Sequence, residues 1–165
     1  MKKTHKWLLV GAFLGLSFLL GAGIASRLAH KQNVAEQTRV LPNLTFQSYD
    51  GSPVHLNVGT QPTVLIYFEP DCDHCQQEAT EYRKAAQTLE AMRVLWLSSA
   101  ARPAVEQFAV AYGLVPNQVV LLNREVAYKK FGFSAVPNIM IYRADGSLVR
   151  RFKGVTSFKE IHSLL

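Results

Sequence analysis

Six consecutive residues, "TVLIYF" from Thr63 to Phe68, constrain the fold more than any other stretch. They are β-branched, aliphatic or aromatic without a break and are bounded by Pro62 and Pro70. A strand covered on both faces has this pattern, and such strands belong to sheets sandwiched between helices. The chain's two cysteines, Cys72 and Cys75, follow almost at once. After them, "CQQEATEYRKAAQTLEAM" places small or apolar residues at Ala79, Tyr82, Ala86 and Leu89, a helical spacing. The local unit is therefore a buried strand, a tight turn, and a helix that starts at the thiols.

The neighbouring segments extend this unit into a domain. "LPNLTFQSYDGSPVHLNV" breaks into short apolar pieces around Asp50-Gly51 and predicts an entry hairpin, so the domain begins near Val40. Arg93 to Ser99 predicts a second buried strand, and "RPAVEQFAVAYGL" a helix with Pro103 in its first turn and Gly113 at its end. A connecting segment containing "NQVVLLN" leads to "FSAVPNIMIYRADGSLVRRFKG". There, Asn138 to Tyr142 predicts a strand entered through a proline, Asp145-Gly146 a turn, and Leu148 to Phe152 the returning strand. "SFKEIHSLL" predicts a closing helix. Residues 40–165 thus form an α/β domain, with a central mixed β-sheet flanked by helices.

The amino end is organised differently. Residues 1–6 are a basic tail expected on the cytoplasmic side, and residues 7–26, Trp7 to Ser26, carry no charge. About 20 apolar residues suffice to cross a hydrocarbon core of roughly 30 Å as a helix, so a transmembrane anchor is expected. A cleaved signal peptide is the competing reading, with small residues around Gly23 and Ala25 at plausible cleavage positions. Lys2, Lys3 and Lys6 precede the span and Arg27 and Lys31 follow it, which orients the amino end inward. The domain then lies on the extracytoplasmic side, periplasmic or at the cell surface, or is secreted if the segment is cleaved. Residues 27–39 read equally well as a polar linker or a short frayed helix. The formal charge of +6 is mostly here: residues 1–39 hold six Lys and Arg against one acid, residues 40–165 twelve against eleven. The domain lacks the basic surplus that nucleic-acid binding requires.

Two cysteines three positions apart admit several chemistries. A structural zinc site needs four ligands, and the histidines are scattered: His5 and His30 precede the domain, and His55 and His162 stand alone. Haem attachment needs histidine after the second cysteine, where Gln76 stands. A structural disulfide remains open, although so short a loop gains little from closure. A redox pair has a mechanism at this spacing. Cys72 at a helix start is favoured as the attacking thiolate, and Cys75, nearly one turn on, can resolve the mixed disulfide.

These features together resemble the thioredoxin-like superfamily, and within it the membrane-anchored, extracytoplasmic thiol-disulfide oxidoreductases of the ResA and TlpA kind. The resemblance rests on the hairpin "SYDGSPVHL", the strand leading to Cys72-Asp73-His74-Cys75, Glu78, and "SAVPNIMIYRADGSLVRRFKG". It implies a thioredoxin-like fold and catalysis by Cys72 and Cys75, which form the redox disulfide. It also implies a cis-proline at Pro137 that lets Val136 pair its backbone with substrate, and a proton-handling role for Glu78. The substrates implied are protein thiols or disulfides, with apocytochrome c as the suggested client. A separate electron donor or acceptor would reload the pair, and neither cofactor nor metal is needed.

Two departures shape the reading. Asp71 replaces the tryptophan common before the first cysteine, and Ile66 stands where thioredoxin has a buried acid. A peroxidase of the peroxiredoxin-like kind would need threonine and proline where Glu69 and Leu65 stand. A redox-inert binding or assembly module is the other alternative. As to electron flow, a cationic His74 favours the thiolate of Cys72, whereas Glu69, Asp71, Asp73, Glu78 and Glu81 oppose it. The balance leans towards a reductase.

Overall fold

The computed structural model describes residues 2–85 and 91–165; the side chains of residues 2–12, 14 and 16 are outside the description. Ala86 and Leu89 of the expected helical face lie outside the described residues. The chain divides into two units, residues 1–36 and residues 37–165.

The first unit is helical: helix α1 spans Lys2–Gln37 and includes the uncharged segment and most of the polar stretch after it. Phe13, Phe18, Leu19, Leu20 and Ile24 along it are exposed. Among the described residues, no helix is long and apolar enough to cross a membrane.

The second unit runs β1 (Leu44–Gln47), β2 (Pro53–Leu56), β3 (Thr63–Phe68), α2 (Asp73–Ala85), β4 (Arg93–Ser98) and α3 (Arg102–Tyr112). It continues with β5 (Val119–Leu121), α4 (Arg124–Phe131), β6 (Asn138–Tyr142), β7 (Leu148–Lys153) and α5 (Phe158–Ser163). One sheet has the order β2-β1-β5-β4-β3-β6-β7. Its centre, β3-β4-β5, is parallel, while β6 and β7 on one side and β1 and β2 on the other join antiparallel. The sheet is mixed, as the alternation of elements predicts.

All six residues of β3 are buried, and their alternation divides the core. Val64, Ile66 and Phe68 join Trp96, Phe108, Tyr82 and Phe158 on the face covered by α2, α3 and α5. Leu65 and Tyr67 join Leu97, Phe131, Phe133 and Met140 on the other, where α4 packs. A strand with two buried faces must be apolar throughout, which is why its sequence shows no polar alternation.

The turns follow their residue chemistry. Asp50 Oδ1 accepts from the Ser52 backbone N–H at 2.9 Å, and Gly51 takes φ 90°, closing the β1–β2 hairpin. Asp145 Oδ1 accepts from the Ser147 N–H at 2.8 Å, with Gly146 at φ 83°, between β6 and β7. Helix α3 carries Pro103 in its first turn and ends on Gly113 in the left-handed conformation, as expected. Helix α4 was not anticipated. It starts on Asn123, whose side chain accepts from the Val126 N–H at 2.7 Å, and ends on Gly132 at φ 66°.

Candidate active site

Phe68 ends β3 inside the core, and Glu69-Pro70-Asp71 turns the chain out of the sheet. The turn is pinned from both sides: the Cys72 N–H donates to the Glu69 carbonyl at 3.2 Å, and Gln76 Nε2 donates to the Pro70 carbonyl at 2.9 Å. Cys72 stands just before helix α2, and its carbonyl accepts from the N–H groups of Cys75 (2.9 Å) and Gln76 (3.0 Å). Its Sγ accepts from the Cys75 N–H at 3.4 Å. A sulfur over the unpaired N–H groups of a helix start lies where negative charge is best tolerated.

The two thiols, both free, have unequal surroundings. Cys72 is half-buried, whereas Cys75 is fully buried in the core beneath α2. Burial pushes the Cys75 thiol strongly up from its ordinary value, and the adjacent Cys72 adds to the rise.

Glu78 lies three residues beyond Cys75 on the same inward face, with Ala79 and Tyr82. Like Cys75, it has no exposed surface. Glu78 Oε2 accepts from the Thr156 N–H at 3.3 Å, and its Oε1 is buried without a partner among the described residues. Burial raises its pKa to about 7; the Thr156 hydrogen bond pulls it back in part, and Glu81 adds to the rise. A carboxyl poised at that value exchanges a proton near neutrality. The other acids differ: Asp71, Asp73 and Glu81 are exposed, as is His74.

Tyr67 of β3 faces Asn138 of β6 across their ladder, so the Cys72 turn and the loop before β6 emerge at the same end of the sheet. That loop contains a cis peptide bond between Val136 and Pro137. Pro137 is buried and its carbonyl accepts from the Gly154 N–H at 2.8 Å; Val136 is half-buried. Cys72 and Val136 pack against the same core cluster. Ile66 is fully buried on that side of the sheet and brings no acid there.

Thr156 and Glu69 were not singled out from the sequence as site residues. Thr156 is 78 residues from Glu78, and no local pattern announces that contact. Glu69 Oε1 accepts from Ser99 Oγ at 3.3 Å, and Ser99 Oγ shares a 2.7 Å hydrogen bond with the Tyr67 hydroxyl. The buried character of "TVLIYF" placed Tyr67 in the core, but not this chain of hydroxyls.

A central mixed sheet with a thiol pair at the start of the helix that follows the buried strand β3 defines a thioredoxin-like protein. A family model of the thioredoxin-like domain matches residues 57–165, most of the chain, and the chain belongs to that family. No curated protein sequence matches it. Among solved structures it is similar to DsbF from Mycobacterium tuberculosis, at 19% identity over 78% of this chain and 97% of that one, with TM-score 0.66. It is also similar to a secreted Mycobacterium tuberculosis disulfide oxidoreductase homologous to E. coli DsbE, at 20% identity over 78% and 96%, with TM-score 0.64. A thioredoxin-family thiol:disulfide interchange protein from Chlorobium tepidum aligns at 15% identity over 77% and 93%, with TM-score 0.66. At these identities the likeness shows the fold.

Proposed function

We propose that the chain is a thiol-disulfide oxidoreductase acting on protein disulfides through Cys72 and Cys75, in the direction of reduction. The observation that carries this reading is the inequality of the two thiols, one at a helix start and half-buried, the other fully buried on the same inward helix face as Glu78. In the reaction, the Cys72 thiolate attacks one sulfur of a substrate disulfide. A Cys72–substrate bond forms, the substrate S–S bond breaks, and the first substrate thiolate leaves. Cys75 then loses its proton to the Glu78 carboxylate and attacks Cys72 Sγ, forming the Cys72–Cys75 disulfide and expelling the second substrate thiolate. Two electrons have passed to the substrate, and a separate dithiol donor must return them. Val136 offers its backbone to a substrate strand beside Pro137, and His74 stands at the exposed rim.

The acids around Cys72 support the reductive direction. Asp71 and Asp73, exposed on either side of it, oppose its thiolate, so the dithiol form gains less from ionisation and the disulfide is the better-stabilised state. Equilibration of the full chain with glutathione buffers tests this. The expected potential is near the roughly −270 mV of thioredoxin, and a value near the roughly −120 mV of a strong oxidant would reverse the direction. A pair that never oxidises in these buffers would mark a redox-inert module. Fast reduction of hydrogen peroxide would favour a peroxidase.

The secreted Mycobacterium tuberculosis relative and the uncharged segment at residues 7–26 support an extracytoplasmic domain, tethered by that segment. Apocytochrome c is the client that the resemblance to the ResA and TlpA kind brings forward. The tether predicts that the full chain sediments with membranes and resists alkaline extraction; release into the soluble fraction would overturn it.

A further inference from the structure

A cavity of about 420 Å³ opens between the two segments that frame the thiols. Glu69, three residues before Cys72, and Val136, just before Pro137, line it, together with Tyr67, Phe133, Arg124 and Tyr128. We infer that this cavity receives a lysine or arginine side chain lying beside the substrate's cysteine, selected by Glu69. The inference rests on the exchange reading and names the substrate class for that same site.

Position comes first. A substrate strand held along Val136 with its cysteine at Cys72 runs past the cavity mouth, so a side chain close to that cysteine is the part that reaches in. The space suits one long side chain and is too small for a secondary-structure element.

The lining then sets the chemistry. Tyr67 and Phe133 are buried and stacked, with centroids 4.8 Å apart and planes at 4°, so this wall is rigid. Tyr128, 46% exposed, forms the outer part. Phe133 is stacked on Phe131 as well as on Tyr67 and already carries Arg151 over its ring, so the inner wall offers an apolar edge, and exposed Tyr128 with the Glu69 carboxylate suits a cation on an apolar stem. Glu69 Oε1 is held by Ser99 Oγ, so the carboxylate is fixed in place. Arg124 reaches it only at 4.0 Å, with a side chain 85% exposed. Such an arginine is a weak partner that can swing into water when another cation arrives. Exposed Asp71 and Asp73 add to the acidic character near the thiols.

The test uses the full chain and short peptides in which one cysteine is held in a mixed disulfide with a neutral thiol. The peptides differ only in the neighbouring residue, lysine or glutamate. The reduced protein should react about tenfold faster with the lysine peptide, the factor expected for a partly shielded charge pair. The ratio should fall severalfold in Glu69→Gln, to what exposed Asp71 and Asp73 contribute, and rise in Arg124→Ala. Equal rates in the unmodified protein, or an unchanged ratio in Glu69→Gln, overturn the inference. Labelled peptides with serine in place of cysteine, followed by fluorescence anisotropy, probe the cavity without any exchange, and they too should bind about tenfold tighter with lysine. Discrimination in binding without reduction of any peptide would sink the exchange reading and keep the cavity. Reduction without discrimination would do the reverse.

Discussion

Asp71 and Asp73 stand in water at the start of α2 and Glu81 further along it, while Glu78, on the same stretch of chain, is fully buried on its inner side. The cysteines divide in the same way, Cys72 towards the rim and Cys75 inside. Counted along the sequence, the acids weigh alike. In the fold they do not, because an exposed charge is screened by solvent and a buried one is not. In the proposed exchange the inner pair, Cys75 and Glu78, therefore handles the proton of the resolving step, and the rim acids trim the rate of attack. The lean towards a reductase stays with the acids around Cys72, and the burial of Cys75 bears on which thiol resolves.

Removing the attacking sulfur breaks the comparison most completely. Cys72→Ser should abolish peptide-disulfide reduction, since the buried Cys75 is poorly placed and poorly ionised for attack; turnover by the variant above background would show that the rim and interior are interchangeable.

Glu78→Gln tests the interior. Closure of the Cys72–Cys75 disulfide should accelerate as the pH rises through about 7 in the unmodified protein, where Glu78 becomes a base. In the variant that step should vanish and closure should slow by about a hundredfold, readable by stopped-flow fluorescence. The same carboxyl affects stability. Folded Glu78 keeps its proton to about 7, whereas an ordinary carboxyl loses it at 4.5. The folded state thus binds more protons between those values, and stability is full below 4.5 and falls as the pH rises to about 7. The loss is on the order of 3 kcal/mol. Denaturant titrations across that range should show the slope in the unmodified protein and lack it in Glu78→Gln.

The smallest effect belongs to the rim. Replacing Asp71 and Asp73 by Asn should speed alkylation of Cys72 by about twofold to fivefold at low salt, and by less once salt shortens the screening length to roughly 10 Å. A larger, salt-insensitive change would mean that the rim acids act as strongly as the interior.

Much of this was legible in the sequence because continuous apolar runs of five or six residues, two of them entered through a proline, can be little else than strands with two buried faces. That gave β3, β4, β6 and the mixed sheet. Helix α4 was passed over even though Asn123 and Gly132 cap it, because "REVAYKKF" is short and half charged and hides its buried Ala127 and Phe131. β5, three residues long, was submerged in a connecting segment. Periodicity put Ala79 and Tyr82 on the buried helix face and the resemblance brought in Glu78, but only the fold reveals that Glu78 shares that face with Cys75 and that Thr156 closes over it. The cavity beside Glu69 draws on β3, α4 and the loop before β6, segments that no local spacing brings together.

The central claim is that Cys72 attacks and Cys75 resolves. Incubating the reduced Cys75→Ser chain with a disulfide-bonded peptide, then mapping the adduct by tandem mass spectrometry, tests it directly. A stable adduct on Cys72, with none on Cys75 in the converse Cys72→Ser chain, is the predicted result. An adduct on Cys75 in Cys72→Ser, with Cys72 unmodified in Cys75→Ser, would contradict it.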